Sequence, residues 1–467
     1  MRPPADRLNL YIVTFNCARH QIPTDRFASH LFDALPNNPA GEDDYDDASG
    51  GGEGGGGQAP EILVLALQEI APIAYAFLGG LFLNQYYDAF DQAVHLAVSK
   101  RWAGNSVSYV SMLQKNCGLT AIMVYVRSDV AGRTSCLQSA EVGLGVQQMG
   151  NKGAVGARLR YMVEDQGNDA VNLTFVSAHL APMEYAFARR NEDWKGIVER
   201  LVFTREHGGA GNNNKEGGGE ETIALLREPD ALGCSDDQSG IFVPSTYLFL
   251  AGDLNYRTSD TMPQKDDRDR FPQPTADTNS RRHYSQLLKD DQLTREVQNN
   301  RTLHSLSEAP INFPPTYKYS EEARRAAAED GEPKEWKWAS SRWPSWCDRI
   351  LYLDVPSWIK GIGHVEPQVY DALPLFPTSD HRAVALSVSV PLKAIPEPGV
   401  GQTEDVRLSA PFALDAEWER KRAAARTKEI IVGCMAYLGL TWEGNALLLA
   451  SISAIGGWLV LRSILGG

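Results

Sequence analysis

Three side chains with complementary chemistry follow a short apolar run near the middle of the chain. The run covers residues 247–250, and Gly252, which permits a close backbone approach, precedes Asp253, Asn255 and Arg257. A carboxylate acceptor, an orienting amide and a fixed guanidinium suit the activation of a water molecule beside a phosphate. An ordinary Asp/Asn turn at a strand end has a similar composition, so other segments must decide between the two interpretations.

A second apolar run ends in a carboxylate that suits a metal ion. Glu69 follows this run and is itself followed by Ile70 and Ala71, whereas a solvated strand-end glutamate would have polar neighbours. Magnesium prefers one or two carboxylates together with water and phosphate oxygens, so Glu69 with Asn16 is a candidate Mg²⁺ site. The sequence has no His/Cys spacing typical of zinc.

Two histidines occupy similar strand-end positions. His179 ends one apolar run, and His381 follows Asp380 and precedes the last run, while Asp348 and Arg349 open another. A buried carboxylate fixes the tautomer of an imidazole and favours its protonated form, and we assign Asp348 to His381 in this role. The alternative is that each histidine is an ordinary hydrogen-bonded core residue.

Composition excludes some classes of protein. The net charge of −14 is partly local, because a glycine-rich stretch at 37–59 is strongly acidic, but it still disfavours a nucleic-acid partner. The six cysteines show no paired CxxC spacing, which argues against a zinc ribbon or a disulfide framework and for a reducing compartment. The first apolar run is too short for a secretion signal.

Short β-type runs alternate in part with helical patterns. We predict helices at 73–98, 183–204 and 283–297, and strands at 8–15, 61–67, 119–126, 153–162, 171–177, 245–251, 348–353 and 383–391. Several strands are apolar on both faces, which indicates an α/β arrangement with sheets covered by helices and polar strand ends converging on one rim. The low-complexity stretches 37–59 and 207–220 are predicted to be disordered surface loops.

The C-terminal residues have a different character. Residues 412–428 read as a helix with a basic end, and the apolar run 446–465 covers 20 residues, just enough to span a bilayer core. We predict a catalytic domain at 1–395, a linker and basic juxtamembrane helix at 396–428, and an apolar membrane anchor at 429–467. The alternative is a pair of buried helices that close the globular domain.

Taken in order, the polar segments resemble the inositol polyphosphate 5-phosphatases, a magnesium-dependent branch of the endonuclease/exonuclease/phosphatase superfamily. The resemblance covers roughly residues 8–392. It rests on Thr14-Phe15-Asn16, Gln68-Glu69, Asn151-Lys152-Gly153, Ser177-Ala178-His179, Arg190-Asn191-Glu192-Asp193-Trp194-Lys195, Gly252-Asp253-Leu254-Asn255-Tyr256-Arg257, Phe313-Pro314-Pro315-Thr316-Tyr317-Lys318, Trp346-Cys347-Asp348-Arg349 and Ser379-Asp380-His381. With the apolar C-terminus, the layout is similar to tail-anchored fungal 5-phosphatases of the endoplasmic reticulum.

The resemblance implies a DNase I-like, four-layer fold, in which a two-sheet β-sandwich is flanked by helices, followed by a C-terminal membrane helix. It also implies roles for individual residues. The expected metal ligands are Asn16 and Glu69, with Asp380 as a weaker candidate; the expected catalytic residues are Asp253, Asn255, His179, His381 and Asp348; and the expected substrate-binding residues are Lys152, Asn191, Lys195, Arg257, Lys318 and Arg349. Lys195, Lys318 and Arg349 fall where the family grips the neighbouring 4-phosphate.

We therefore expect a Mg²⁺-dependent enzyme that removes the 5-phosphate of phosphatidylinositol 4,5-bisphosphate. The 3,4,5-trisphosphate lipid and soluble inositol polyphosphates are further possible substrates. The expected partners are the phosphoinositide lipid and a membrane held by the C-terminal segment, at the cytosolic face of the endoplasmic reticulum. The alternatives are a nuclease on the same scaffold, which the acidic charge disfavours, and a non-enzymatic membrane tether, which would be expected to lack Glu69, Asp253 or His381.

Overall fold

The computed structural model describes residues 7–465 apart from 37–56, 105, 164–168, 206–237, 330–334, 357, 360, 397 and 400–404. The two predicted glycine-rich loops lie outside the described residues, except for residues 57–59. The helices are α1 (Thr24–His30), α2 (Ile73–Leu78), α3 (Asn84–Arg101), α4 (Phe187–Arg200), α5 (Tyr284–Leu288), α6 (Gln292–Gln298), α7 (Glu321–Ala326), α8 (Trp418–Leu440) and α9 (Trp442–Leu465).

The strands form two mixed sheets. They are β1 (Arg7–Asn16), β2 (Ile62–Gln68), β3 (Tyr109–Cys117), β4 (Thr120–Arg127), β5 (Thr134–Gly143), β6 (Gly153–Met162), β7 (Ala170–His179), β8 (Thr204–Arg205), β9 (Thr246–Asp253), β10 (Ser307–Glu308), β11 (Asp348–Tyr352), β12 (Glu366–Leu375) and β13 (Arg382–Pro391). The first sheet has the order β12-β13-β1-β2-β4-β3, and the second has the order β10-β11-β9-β7-β6-β5-β8. Each sheet contains one parallel pair, β1 with β2 and β7 with β9.

The two sheets pack face to face, and helices cover their outer faces. Along β1, Leu10 and Ile12 belong to the core between the sheets, whereas Tyr11 and Val13 pack in the layer beneath α1 and α3. Side chains alternate across a strand, so a strand covered on both faces reads as a continuous apolar run. Trp194 of α4 packs with the outer face of the second sheet. The predicted fold, a two-sheet sandwich flanked by helices, is confirmed.

The strands that the sequence did not reveal lie at or next to sheet edges. β3 and β12 are the edge strands of the first sheet, and β5 is next to the short edge strand β8. An edge strand has a neighbour on one side only, so its side chains are less buried and more polar, and it lacks the apolar run that reveals a central strand. The helix predicted at 73–98 is divided into α2 and α3 at Gly79 and Gly80, both of which have positive φ values.

The tail contains two consecutive helices with different environments. Helix α8 packs against α2 and continues through the predicted 428/429 boundary to Leu440, and α9 begins after Thr441. Within the described residues, α9 is the one helix long and apolar enough to cross a membrane, and none of its apolar window is buried. A C-terminal apolar helix was predicted, and the basic helix predicted at 412–428 overlaps the first part of α8, whose docking on α2 was not part of the prediction.

The cysteines depart from expectation at one position. Cys17, Cys117, Cys347 and Cys434 have free thiols, but Cys136 is disulfide-bonded. The sequence predicted the absence of a disulfide framework, and this one bonded cysteine was not foreseen. The prediction rested on local spacing, which carries no information about pairing between distant segments.

Candidate active site

Strand register aligns three acidic and imidazole groups across the second sheet. His179 at the end of β7 is paired with Asp253 at the end of β9, and Asp253 is paired with Asp348 at the start of β11. Gly252 permits this arrangement because a Cβ there would lie 1.9 Å from the carbonyl oxygen of Ala178 on β7. The close backbone approach predicted at Gly252 is therefore that of β9 to β7.

The first sheet contributes groups from its own strand ends. Asn16 ends β1 opposite Gln68, and Glu69 leaves β2 with a positive φ of 47°. Asn255, two residues beyond β9, also has a positive φ, of 58°. Such backbone conformations are uncommon for residues other than glycine and cluster at functional sites, where the surrounding structure holds them.

Asp253 contacts side chains from both sheets. Its Oδ2 accepts a hydrogen bond from Asn16 Nδ2 at 2.9 Å and lies 3.2 Å from His179 Nε2, while its Oδ1 accepts from the backbone N–H of Asn255 at 3.1 Å. Burial alone would raise the pKa of Asp253, but the hydrogen bond from His179 and the nearby charges of His381 and Lys152 outweigh it. The pKa of this carboxyl is therefore well below its usual range, and Asp253 is ionised at physiological pH.

His381 is held by a second buried carboxylate. His381 Nδ1 lies 2.9 Å from Asp348 Oδ2, which also accepts from Thr316 Oγ1 at 2.6 Å, and His381 Nε2 lies 4.0 Å from Asp253 Oδ2. Burial alone would lower the pKa of His381, but the charges of Asp348 and Asp253 raise it to about 9. This imidazole is positively charged at neutral pH, with Nε2 directed towards Asp253.

His179 has the opposite electrostatic character. It is buried between Lys152 Nζ and Asp253, and burial together with the charge of Lys152 lowers its pKa. Burial also lowers the pKa of Lys152, although Asp253 and Glu69 act against this effect. One neutral and one charged imidazole thus flank the same carboxylate.

These groups surround a polar cavity of about 170 Å³. Its lining comprises Asn16, Glu69, Lys152, His179, Pro182, Asp253, Asn255, Arg257, Tyr317, Lys318, Asp380 and His381. Asp348 lies behind His381. The cavity therefore unites predicted residues from both sheets and from several loops.

Three cations line the cavity in different settings. Arg257 is buried, donates to the backbone oxygen of Asn255 at 3.0 Å, contacts the side-chain oxygen of the same residue, and stacks 4.5 Å from the ring centroid of Tyr317. Lys318 is partly exposed and lies 2.8 Å from Asp380. Lys152 lies 3.8 Å from Glu69 in addition to its contact with His179. Clustered cations of this kind suit a ligand that carries several phosphates.

The structure places three predicted substrate-binding residues outside the cavity lining. Arg349 is 2% exposed and lies between Asp291 at 3.1 Å and Glu308 at 2.5 Å, so its guanidinium is occupied by protein carboxylates. Asn191 accepts from the Tyr256 hydroxyl and donates to Glu296. Lys195 is 41% exposed, 4.0 Å from Glu199 and near the ring of Phe412. In this structure the three side chains contact protein groups away from the cavity lining, and their substrate contacts stay a prediction.

Sequence reasoning missed several supporting residues. Ser379 Oγ donates to the backbone oxygen of Asn16 at 2.6 Å and accepts from the backbone N–H of His381 at 3.0 Å. It therefore links the end of β1, which carries the candidate metal ligand Asn16, to His381. Arg19 donates to Glu69 at 2.9 Å. Thr316 and Ser379 belong to motifs that the sequence singles out, so a hydroxyl inside such a motif is the signal that would have identified them.

The donor set fits a hard divalent cation. Glu69 offers a carboxylate on the cavity wall whose charged partners are Lys152 and Arg19, and Asn16 offers an amide oxygen nearby. Burial alone would raise the pKa of Glu69, but His179, Lys152 and Arg19 lower it, so the carboxylate is ionised and able to bind a cation. Oxygen donors of this type suit magnesium or calcium.

A second grouping has metal-compatible spacing. Ligand atoms of Asp253, Asp348 and His381 lie within 4.8 Å of one another. His381 and Asp348 already share a hydrogen bond, and Asp253 accepts from Asn16 and contacts His179. We therefore interpret this grouping as a hydrogen-bonded catalytic set.

Comparison with known proteins agrees with this geometry. The sequence model of the endonuclease/exonuclease/phosphatase family 2 matches residues 13–387. The chain is 31% identical over 300 residues to the type II inositol polyphosphate 5-phosphatase 15 of Arabidopsis thaliana, an alignment that covers 62% of this chain and 25% of the plant protein. It is 27% identical over 331 residues to the phosphatidylinositol 3,4,5-trisphosphate 5-phosphatase 2 of Canis lupus familiaris, covering 70% of this chain and 22% of that protein.

A solved structure supports the same fold. The inositol polyphosphate 5-phosphatase domain of SPsynaptojanin, determined with inositol (1,4)-bisphosphate and calcium, superimposes with a TM-score of 0.55 at 19% identity and covers 91% of this chain and 90% of that domain. The fold and the site define a member of the endonuclease/exonuclease/phosphatase superfamily. Within that superfamily, the chain belongs to the inositol polyphosphate 5-phosphatase family. The aligned region spans about a quarter of the length of these curated relatives.

Proposed function

We propose that this protein hydrolyses the 5-phosphate of phosphatidylinositol 4,5-bisphosphate in a Mg²⁺-dependent reaction at the cytosolic face of a membrane. The observation that carries the proposal is the position of Asp253 within the cavity. One buried, ionised carboxylate faces a charged imidazole, a neutral imidazole and an amide, and Lys152, Arg257 and Lys318 line the same cavity. This arrangement suits attack of a water molecule on a phosphate monoester.

Asp253 orients the attacking water. Its low pKa keeps it in the acceptor form at physiological pH, but a carboxylate of low pKa is a weak base. Its role is therefore to hold the water by a hydrogen bond in line with the phosphorus atom. The water oxygen bonds to phosphorus, the ester bond to the inositol oxygen breaks, and that oxygen takes up a proton. The products are an inositol hydroxyl and inorganic phosphate.

The imidazoles and the buried guanidinium stabilise the charge on the phosphoryl oxygens. His381, protonated and held by Asp348, presents a charged N–H without reorganising during the reaction, which is the most effective form of electrostatic catalysis. His179 supplies a neutral imidazole beside Asp253, and Asn255 with Arg257 forms a rigid polar pair for the phosphate. These roles depend on positioning and charge, as phosphoryl transfer requires.

The residues that would hold magnesium are Glu69 and Asn16. Bound there, the ion supplies Lewis-acid charge neutralisation at the phosphate. Asp380 was a weaker candidate for this role, and its ion pair with Lys318 favours a different one, that of fixing the lysine. Burial alone would raise the pKa of Asp380, but His381 and Lys318 lower it, so this partner of Lys318 is ionised.

Substrate choice is assigned to the cations of the cavity. Lys318 is the most exposed of the three and stands at the wall beside Asp380, where it can bind a second phosphate on the same ring. Such a contact favours rings that carry both 4- and 5-phosphates over rings with the 5-phosphate alone. The names of the relatives refer to inositol polyphosphates and to the 3,4,5-trisphosphate lipid, so these are the further substrates to compare.

The tail supports a membrane-bound substrate. Helix α9 has the length and apolar character of a single span, and a membrane anchor raises the local concentration of a lipid substrate. Leu81 and Phe82 are exposed beside the end of α8, where the ring centroids of Phe82 and Tyr437 lie 5.4 Å apart. Apolar side chains next to a candidate span suit contact with the membrane interface. Residence in the endoplasmic reticulum is part of the same proposal.

The proposal is tested by phosphate release from lipid and soluble inositol substrates, with the wild type compared with Asp253→Ala. We expect the variant to lose at least about a thousandfold in turnover. Circular dichroism at the assay temperature checks that it remains folded, since the buried carboxylate is hydrogen-bonded to groups from both sheets. Asp129→Ala is the matched control, since that carboxylate is exposed in a surface ion pair with Arg127 at the opposite end of β4. Equal turnover in the wild type and Asp253→Ala would refute the assignment.

A further inference from the structure

Helix α8 is fixed to the catalytic domain by a buried acid. Glu429 is 0% exposed, and its Oε1 accepts hydrogen bonds from the backbone N–H of Gly150 at 2.8 Å and from Arg422 at 2.8 Å, while its Oε2 lies 3.3 Å from Arg426. A buried carboxylate is costly unless it is paired and hydrogen-bonded, and these contacts meet that requirement. The acid of the tail helix thus binds the turn that precedes Lys152.

The Gly150 turn has little room to move. The carbonyl oxygen of Gly150 accepts from the backbone N–H of Leu119 at 2.8 Å, and a Cβ built on Gly118 would lie 2.3 Å from that oxygen. Two residues further on, the carbonyl oxygen of Lys152 accepts from the N–H of Leu144 at 2.8 Å. The backbone that carries Lys152 into the cavity is therefore part of a turn in which the Gly150 N–H is held by Glu429.

The arginine partners of Glu429 reach other elements that support the site. Arg426 donates to the carbonyl oxygens of Phe77 at 2.6 Å and Leu78 at 2.9 Å, at the end of α2, the helix that follows Glu69. Arg422 donates to Glu141 of β5 at 3.0 Å. Both arginines therefore keep partners of their own if Glu429 loses its charge, whereas the Gly150 N–H loses its acceptor if Glu429 no longer reaches it.

We propose that Glu429 is a positioning residue that holds the Gly150 turn and thereby places Lys152 beside His179 and Glu69. The tail helix α8 is then part of the catalytic unit, so that docking of the tail is coupled to turnover. This inference rests on the proposed function, because Lys152 is one of the cavity cations assigned there to the substrate. A purely structural ion-pair network that only attaches the tail is the alternative.

Two substitutions of the same residue separate these possibilities in the full-length, detergent-solubilised protein. Glu429→Gln keeps the length of the side chain and an oxygen acceptor but removes the charge. Glu429→Asp keeps the charge but is one methylene shorter and no longer reaches Gly150. Glu419→Gln, an exposed glutamate on the same helix, is the matched control.

If Glu429 positions Lys152, kcat/KM on inositol 1,4,5-trisphosphate falls at least tenfold in Glu429→Asp and less than threefold in Glu429→Gln. In a Lys152→Met background, Glu429→Asp then adds no further loss. Hydrogen exchange becomes faster at residues 144–152 in Glu429→Asp but is unchanged in β2 and β9. Glu419→Gln behaves like the wild type.

Three results would overturn the inference. A larger loss in Glu429→Gln than in Glu429→Asp would mean that charge, and not reach, matters. An undiminished tenfold loss in the Lys152→Met background would mean that Glu429 acts by another route, and unchanged exchange at residues 144–152 would remove the proposed contact. If the wild type itself releases no phosphate, the proposed function fails, while the exchange measurement still decides whether Glu429 holds the turn.

Discussion

Asp348→Asn tests how the charge on His381 is maintained. The substitution preserves the shape of the side chain but removes the carboxylate that lies 2.9 Å from His381 Nδ1. The pKa of His381 is raised from 6.5 to about 9. At pH 7.5 such a group is roughly 97% protonated, whereas a group returned to its ordinary pKa is only about 10% protonated. Turnover that needs the imidazolium should therefore fall about tenfold at pH 7.5 and recover as the pH is lowered towards 5.5.

The same pKa shift predicts a pH dependence of stability. A histidine whose pKa is higher in the folded than in the unfolded protein stabilises the fold fully below its unfolded pKa, and this contribution is lost as the pH rises through the folded value. For His381 the window runs from 6.5 to about 9. The shift corresponds to at most about 3 kcal/mol. Urea unfolding in EDTA should show stability declining across this window in the wild type, and a flatter profile in Asp348→Asn.

The control for the activity measurement is Asp193→Asn. Asp193 is also buried and accepts from the N–H of Ala181 at 2.9 Å, but it does not line the cavity. Its replacement should leave the shape of the kcat profile unchanged. The reasoning is refuted if Asp348→Asn lowers turnover by the same factor at every pH between 5.5 and 9, because the loss would then have no connection with protonation of His381.

Further predictions concern substrate choice and the tail. Lys318→Ala should raise KM about tenfold for 4,5-bisphosphorylated rings and much less for rings with only a 5-phosphate, which comparative steady-state kinetics would reveal; an equal increase on both would contradict the role of Lys318. Arg349→Met should leave this discrimination between substrates intact. It should destabilise the fold by roughly 3–5 kcal/mol in urea unfolding, because Asp291 and Glu308 lose their partner. Altered discrimination without loss of stability would instead support a contact between Arg349 and the substrate. Truncation after Thr441, which removes α9 and leaves α8 docked, should release the protein from carbonate-washed membranes; retention would contradict the anchor.

Much of the site was predictable because its residues lie at the ends of central strands. Asn16, His179 and Asp253 each end a strand with a clear apolar run, and two parallel pairs bring their carboxyl ends together. The pairing of His381 with Asp348 was also predicted, and the structure places these side chains 2.9 Å apart. The predicted catalytic roles remain proposals.

The rest depended on contacts between distant segments. Arg349 belongs to a 5-phosphatase motif, but nothing in that motif reveals that Asp291 and Glu308 occupy its guanidinium. In the tail, hydrophobicity indicated a membrane segment, yet Glu429 is buried against Gly150, more than two hundred residues away in sequence. Local patterns describe the face that a strand or helix buries, but not which partner meets it.

The position of the phosphate that is removed tests the central claim most directly. Phosphatidylinositol 4,5-bisphosphate in mixed micelles with Mg²⁺ would be incubated with the full-length protein, and the lipid product identified by chromatography against both monophosphate standards. The account predicts phosphatidylinositol 4-phosphate together with equimolar inorganic phosphate. Formation of the 5-phosphate lipid, or no release of phosphate, would contradict it.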